Sequence, residues 1–156
     1  MSHVGHNHVA GEARRSHQIQ IGLFIIFLAV WILDSFLFRI TPLVYSVPLF
    51  LNVIPGIIVI IAALVLMQKS HIVFEGPEPH VVTTNVYGRV RHPMYLGSIL
   101  LYFGFWITTL SIITLLPLLS VIIGYNYLAN AEERLLEEKF GDEYREYKKR
   151  VRKWIP

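Results

Sequence analysis

The residues best able to do chemistry in this 156-residue chain are gathered in one stretch, Val81 to Gly97, VVTTNVYGRVRHPMYLG. Tyr87, Arg91, His92, Pro93 and Tyr95 crowd there, at the approach to a long apolar run. Pro93 is a helix-start signal, because its fixed φ and missing N–H are tolerated in a first turn and it pushes His92 towards extended geometry. A helix starting at Pro93 leaves the N–H groups of Met94 and Tyr95 without intrahelical acceptors. It also sets the positive end of its dipole beside Arg91 and His92, where a carboxylate or phosphate is stabilised. His92, Tyr95, Ser98 or Ile99, and Tyr102 share one side of that helix as a polar and aromatic stripe. Arg and Tyr also mark membrane interfaces, so the stretch alone leaves both an anchor and a binding site open.

A second set lies in GYNYLANAEERLLEEKFG, where Asn126, Asn130, Glu133 and Glu137 are spaced 4, 3 and 4 and form one polar helical stripe. Polar groups within a membrane span must face protein or a cavity. Glu132 is one step off the stripe, so geometry favours Glu133 as a site carboxylate, with a solvated turn paired to Arg134 as the alternative. Gly141 interrupts this helix and Asp142 is suited to cap the next, in which Tyr144, Tyr147, Val151 and Trp154 recur at 3, 4 and 3. That pattern predicts an amphipathic helix on the membrane surface or folded over the helix ends as a lid, with Lys148, Lys149, Arg150, Arg152 and Lys153 as its cationic side, most of them towards lipid head groups.

These segments need elements to carry them. With 54% hydrophobic residues and a mean hydropathy of +0.50 the chain reads as an integral membrane protein. The absence of cysteine excludes disulfides, thiolate metal sites and a cysteine nucleophile. The net charge of +3 and pI near 9.3 come from basic residues flanking apolar spans, which points to membrane lipids and away from nucleic acid.

Residues 1 to 18 read as a disordered tail carrying His3, His6, His8 and His17, with no fixed ligand spacing for a metal and no signal-peptide layout. Residues 19–156 read as a single domain. Its first apolar run, 19–40, has 22 residues and reaches about 33 Å, enough for one span, with Asp34 and Arg39 as an interfacial pair. The second, 43–67, carries Pro48, Asn52 and Pro55, which predict a kinked or late-starting helix, uninterrupted from Gly56, with Asn52 satisfying a freed carbonyl. Residues 68–90 form a long polar loop of the kind that serves as a lid or binding segment, with Gly76, Pro77 and Pro79 at turns and Glu75 and Glu78 its acids. The run from Met94 to Leu128 is long enough for two tilted spans, about 93–108 and 111–130, hinged at Thr108, Thr109 and Ser111. Gly97 and Gly104 would admit a neighbouring helix closely, at Gly124. The expected fold is all-α: about four transmembrane helices plus a C-terminal amphipathic cytoplasmic helix, with cytoplasmic helices over 131–153. Of 14 Lys and Arg, only Arg39 lies on the far side, so the positive-inside rule puts both termini and any site in the cytoplasm.

The two polar segments also resemble a known family. Val81–Gly97 resembles its signature T-x-G-x-Y-x-x-x-R-H-P-x-Y-x-G, and residues 130–156 resemble E-E-x-x-L-x-x-x-F-G-x-x-Y-x-x-Y-x-x-x-V-x-x-x-I-P. Both are signatures of the isoprenylcysteine carboxyl methyltransferase family, with the related phospholipid methyltransferases, and together they cover roughly the C-terminal half. The resemblance implies an integral membrane methyltransferase using S-adenosylmethionine, held at the cytoplasmic ends of the last helices under the C-terminal segment. By the same resemblance Tyr87, Arg91, His92, Pro93, Tyr95 and Gly97 line the cofactor pocket together with Asn130. Glu132 and Glu133 lie near the cofactor's amino-acid or sulfonium part, and Arg150 faces the substrate. No G-x-G occurs, so a soluble dinucleotide-type loop is not available. The pattern departs at Asn85 and Val86, where Gly-Pro is usual, and at Arg152, where proline is common, which leaves the acceptor open.

Methyl transfer to a carboxylate needs no base, and Arg150 would orient such an acceptor; an amine or thiol needs deprotonation, for which Glu133 is the candidate. The acceptor expected is a lipophilic or small molecule entering from the membrane. The rivals are a phospholipid N-methyltransferase, a membrane reductase with a nicotinamide cofactor, and a non-enzymatic metal-handling protein using the N-terminal histidines.

Overall fold

The computed structural model describes residues 16–43, 47–71 and 81–155. The histidine-bearing tail before Ser16 and the acids Glu75 and Glu78 lie outside the described residues, while Ser16 and His17 already belong to the first helix. Regular structure is helical throughout: α1 (Ser16–Ile32) running into a π-helical turn (Leu33–Phe38), α2 (Leu49–His71), a 3₁₀ turn (Asn85–Gly88), α3 (Pro93–Thr109), α4 (Leu115–Phe140) and α5 (Asp142–Arg150). Two stretches, Gln18–Phe38 and Phe50–His71, are long and apolar enough to cross a membrane. Only 17% of each is buried, so neither is the core helix of a soluble protein; Ile21, Ile25, Ile58 and Ile61 point outward, as lipid-facing residues do.

α2 starts late, just after Pro48, and runs on through Pro55. Asn52 Nδ2 does not serve a carbonyl freed within α2. It donates across to Thr108 O of α3 at 3.1 Å. α3 is the central element. Its Gly97 and Gly104 do admit a close neighbour, but that neighbour is α2. A Cβ on Gly104 would sit 2.7 Å from Ile60 Cγ1, 3.0 Å from Ile60 N and 3.1 Å from Gly56 O, and one on Gly97 would meet Met67 Cγ at 2.6 Å. Gly124 instead faces Leu23 of α1, at 2.8 Å. On its other side α3 joins α1 and α4 in a core of Phe27, Tyr95, Tyr102, Val121, Tyr125 and Leu128, with Phe27 and Tyr102 edge to face at 4.9 Å.

The α3–α4 connection falls where the polar residues place it. Thr109 ends α3, Leu110 takes a left-handed conformation and α4 begins at Leu115. Its polar groups are tied to α1. The carboxylate of Asp34 accepts from Thr41 N (3.2 Å), Thr41 Oγ1 (2.6 Å) and Ser111 Oγ (2.5 Å), while Arg39 Nε donates to Phe36 O. The partners of Asp34 are thus hydroxyls and an amide where Arg39 was expected, because the π-helical turn carries Asp34 and Ser35 inward. Trp31 Nε1 and Ser35 Oγ both donate to Thr109 Oγ1 at 3.0 Å. Asp34→Ala takes the acceptor from Thr41 N, Thr41 Oγ1 and Ser111 Oγ, and an unfolding titration in detergent is expected to record a loss of about 3 kcal/mol. Ligand binding at the other end of α3, about 25 Å away, is expected to change little.

Candidate functional site

The site forms where the start of α3, the second half of α4 and the C-terminal segment meet. Pro93 is the first residue of α3 and His92 caps it with φ −122° and ψ 61°. α4 carries its periodicity unbroken from its apolar first half into the charged segment, which brings Glu132 and Glu133 beside that cap. The extended C-terminal segment after α5 closes the third side. Arg91 N donates to Arg152 O at 3.0 Å, pairing residues 90–91 with residue 152.

Glu133 is the hub. Its Oε1 lies 3.0 Å from Arg91 Nε, 2.9 Å from Arg91 Nη2 and 3.0 Å from His92 Nε2, and its Oε2 lies 3.1 Å from Lys148 Nζ. Lys148 also reaches Glu137 Oε1 at 2.6 Å. Glu132 takes the other face of the histidine, with Oε2 3.5 Å from His92 Nδ1. Carboxylates accept and do not donate, so serving both neighbours requires an N–H on both ring nitrogens, the imidazolium form. Burial alone lowers the His92 pKa, but hydrogen bonds to Glu132 and Glu133 and their charges overcome it and raise the value. Burial likewise works against the Glu133 carboxylate, yet bonds from His92, Lys148 and Arg91 hold it at about 2. A carboxylate held so low is a poor proton acceptor, so the hub position argues against Glu133 as a base for an amine or thiol.

These shifts set a pH window. Glu133, depressed, contributes fully above 4.5 and loses its contribution as pH falls towards about 2. His92, raised, contributes fully below 6.5 and loses it as pH rises through its folded value. The difference in thermal stability between the protein and His92→Gln is therefore expected to be largest between those two limits and to shrink on the alkaline side.

Arg91 also has a structural task. Its Nη1 donates to Lys148 O (3.1 Å) and Val151 O (2.7 Å), so it clamps the end of α5 and the segment after it. Tyr147 Oη donates to Tyr87 O at 2.7 Å, and Tyr144 and Tyr147 pack with Val81 beneath α5. Burial pushes the Tyr87 hydroxyl well up, and pushes that of Tyr147 up to about 12. α5 stops at Arg150 and Val151 is extended, so Trp154 leaves the expected helical series and reaches His92, ring centroids 5.9 Å apart. Asp142 does not cap α5 through its side chain; Gly141, at φ 55°, precedes the helix, and Asp142 pairs with Arg145. Tyr95 stacks on His92 at 5.7 Å and an interplanar angle of 6°, and meets Tyr125 at 5.4 Å.

The structure thus brings together Tyr87, Arg91, His92, Pro93, Tyr95, Glu132 and Glu133. Asn130 faces the C-terminal segment, bonded to Lys153. Gly97 is turned away, towards α2. Arg150 stands on the exposed side of α5, its Nε 3.4 Å from Glu146 O, and does not join the cluster. Lys148, Tyr125 and Trp154 are the members that pattern reasoning missed, and Lys153 stands at the rim, bonded to Asn126 and Asn130. Tyr125 was findable, since it lies on one face of α4 with Ala129 and Glu133. Lys148 and Lys153 belong to the cationic set expected to meet lipid head groups, and both bond to oxygens of α4.

Residues 46–143, more than half of the chain, match the phospholipid methyltransferase family. The chain belongs to that family. Over 83 residues it is 41% identical to methanethiol S-methyltransferase 1 of Bradyrhizobium diazoefficiens, a match covering 53% of this chain and 28% of that protein. Over 64 residues it is 39% identical to an uncharacterized protein of Haemophilus influenzae, covering 40% of this chain and all of the relative. The chain thus spans less than a third of the length of the first relative. No solved structure matches it. Outward apolar helices and membership of the phospholipid methyltransferase family together make it a membrane protein of a methyl-transferring family.

The donor set fits the cofactor such chemistry uses. S-adenosylmethionine carries an amino-acid group with both charges, a sulfonium and an adenine plane. Against these the cluster offers paired carboxylates, cationic side chains, a helix N-terminus and the half-buried ring of Trp154.

Proposed function

We propose that this chain transfers a methyl group from S-adenosylmethionine to a lipophilic or small acceptor at the membrane face. The observation that carries the reading is the cluster of Arg91, His92, Glu132 and Glu133 closed over by the C-terminal segment, in a chain of methyltransferase lineage. The cofactor supplies an electrophilic methyl on sulfur, and the protein's tasks are alignment and exclusion of water. Glu132, whose contact with His92 is the longer one, is the carboxylate with capacity left for an ammonium or sulfonium. The start of α3, beside Arg91, suits the cofactor's carboxylate. The half-buried ring of Trp154 supplies a face for the adenine. Four spans, with both termini and the site on the cytoplasmic side, accord with the basic residues.

Two acceptor classes have support. The relative named as a methanethiol S-methyltransferase favours a thiol, and the family's phospholipid methyltransferase description favours an amine head group. An ester product, as in isoprenylcysteine carboxyl methylation, is the third form. The test is incubation of the purified protein in liposomes with methyl-labelled S-adenosylmethionine and alkanethiol, lipophilic carboxylate and phosphatidylethanolamine. Label in a thioether, ester or N-methyl product is expected. Transfer to none of them by folded protein that binds a nicotinamide nucleotide would contradict the reading and favour a reductase.

A further inference from the structure

Lys153 differs in its partners from Lys148 and Lys149, the other lysines of the C-terminal segment. Lys148 and Lys149 are neutralised by carboxylates, on Glu133 and Glu137 and on Glu146, and Lys139 lies over the ring of Phe140. Lys153 Nζ is instead held by neutral oxygens, Asn126 Oδ1 and Asn130 Oδ1, both at 2.7 Å, with Asn126 O at 3.5 Å. Among the described residues no carboxylate pairs with it. Partial burial disfavours its charge and lowers its pKa, so an anion arriving there would restore what desolvation removes.

Its position adds direction. Lys153 precedes Trp154, lies 5.3 Å from that ring, and Trp154 in turn packs on His92. It therefore sits at the rim of the charged cluster. Asn130 and Asn126 are about one and two turns of α4 before Glu133, on the side towards the apolar part of the helix. Leu119, Ile123 and Tyr127, four apart on α4 and 55%, 70% and 63% exposed, make an apolar lane leading up to the same level. An apolar lane ending at an unneutralised cation beside the site matches an amphiphile with an anionic head.

We propose that Lys153, steadied by Asn126 and Asn130, is the residue that binds the anionic group of the methyl acceptor, and that the acceptor is an anion on an apolar chain. This rests on the methyltransferase reading above and deepens it. The anion has three possible sources: the reacting thiolate, the reacting carboxylate, or the phosphate of a phospholipid. For a thiolate, its lone pair forms the new bond to the methyl carbon as that carbon's bond to the donor sulfur breaks. The electron pair stays on that sulfur and a neutral thioether leaves; the acceptor's S–H proton is given up to water beforehand, as the thiolate forms beside the Lys153 ammonium.

The test uses the full chain in neutral-lipid nanodiscs, saturated with S-adenosylhomocysteine, with decanethiol, decanoate, decyl phosphate and decylamine as probes. The readouts are thermal shift and, for whichever acceptor is methylated, KM. At least one anionic probe is expected to raise Tm and decylamine is not. Lys153→Gln is expected to weaken that anion by about tenfold or more and Lys153→Arg to restore most of it. Affinity for S-adenosylhomocysteine should stay within about threefold in both variants. Which anion responds identifies the source. Anions that act equally on the protein and on Lys153→Gln, or decylamine acting as strongly as the anions, would overturn the proposal. A Lys153→Gln protein that instead loses S-adenosylhomocysteine affinity and ligand-free stability would assign Lys153 to latching the C-terminal segment. Failure of the methyltransferase reading shows separately, as no stabilisation of the unmodified protein by S-adenosylhomocysteine.

Discussion

Glu133→Gln is expected to be the most damaging single substitution in the charged cluster. The carboxylate is 5% exposed and takes bonds from Arg91, His92 and Lys148 at once. An amide in its place leaves three cationic donors facing one neutral oxygen. Removing one partner from a buried ionic set costs about 3–5 kcal/mol, because the charges left behind cannot return to water. Arg91 would lose the counter-ion that orients it, and with it the clamp on Lys148 O and Val151 O. Thermal unfolding in detergent should therefore show a lower Tm, and limited proteolysis should release the segment after Phe140 before the rest. The same change at Glu146, whose pair with Lys149 is exposed, is expected to do nothing measurable. Equal effects at the two positions would contradict the assignment of Glu133 as hub.

Gly104→Leu is expected to have a comparable effect by a different route. Even a Cβ at this position meets backbone on the facing helix, with Ile60 N at 3.0 Å and Gly56 O at 3.1 Å, so α2 and α3 must separate. Overpacking of this kind costs about 1–3 kcal/mol, and a leucine against backbone belongs at the upper end. Because α3 carries His92 at its start, the displacement is also expected to weaken ligand binding. Gly22, on α1, offers the control. A Cβ there meets nothing within 4 Å, so Gly22→Ala is expected to be neutral or to stabilise by about 0.5–1 kcal/mol through helix propensity. Parallel losses at both glycines would mean that the α2–α3 contact is not tight.

Much of this was legible in the order of residues, and the rest was not for identifiable reasons. Pro93 announced the start of α3, Thr109 and Ser111 its end, and the stripe from Asn126 to Glu137 the face of α4 that carries the carboxylates. Each is a local property of backbone or period. Periodicity says which face of a helix is special without saying what lies against it. Gly97 and Gly104 were therefore recognisable as a close-contact face, while their partner, α2 and not Gly124, depended on how the helices assemble. The same holds for Asp34, whose hydroxyl partner Ser111 is far off in sequence. The C-terminal period from Tyr144 to Trp154 misled for a more specific reason. Arg91 draws the carbonyl of Val151 with its side chain and that of Arg152 with its backbone N–H, which turns the chain extended and sends Lys153 and Trp154 inward.

The most direct test of the central claim is calorimetric titration of S-adenosylhomocysteine into the purified protein in detergent, at pH 6 and beside His92→Gln. Binding at one site per chain, weakened by about tenfold or more in a variant that remains folded, is the result expected of a cofactor pocket built on His92 and its two carboxylates. No binding by folded protein, or binding that His92→Gln leaves unchanged, would contradict it.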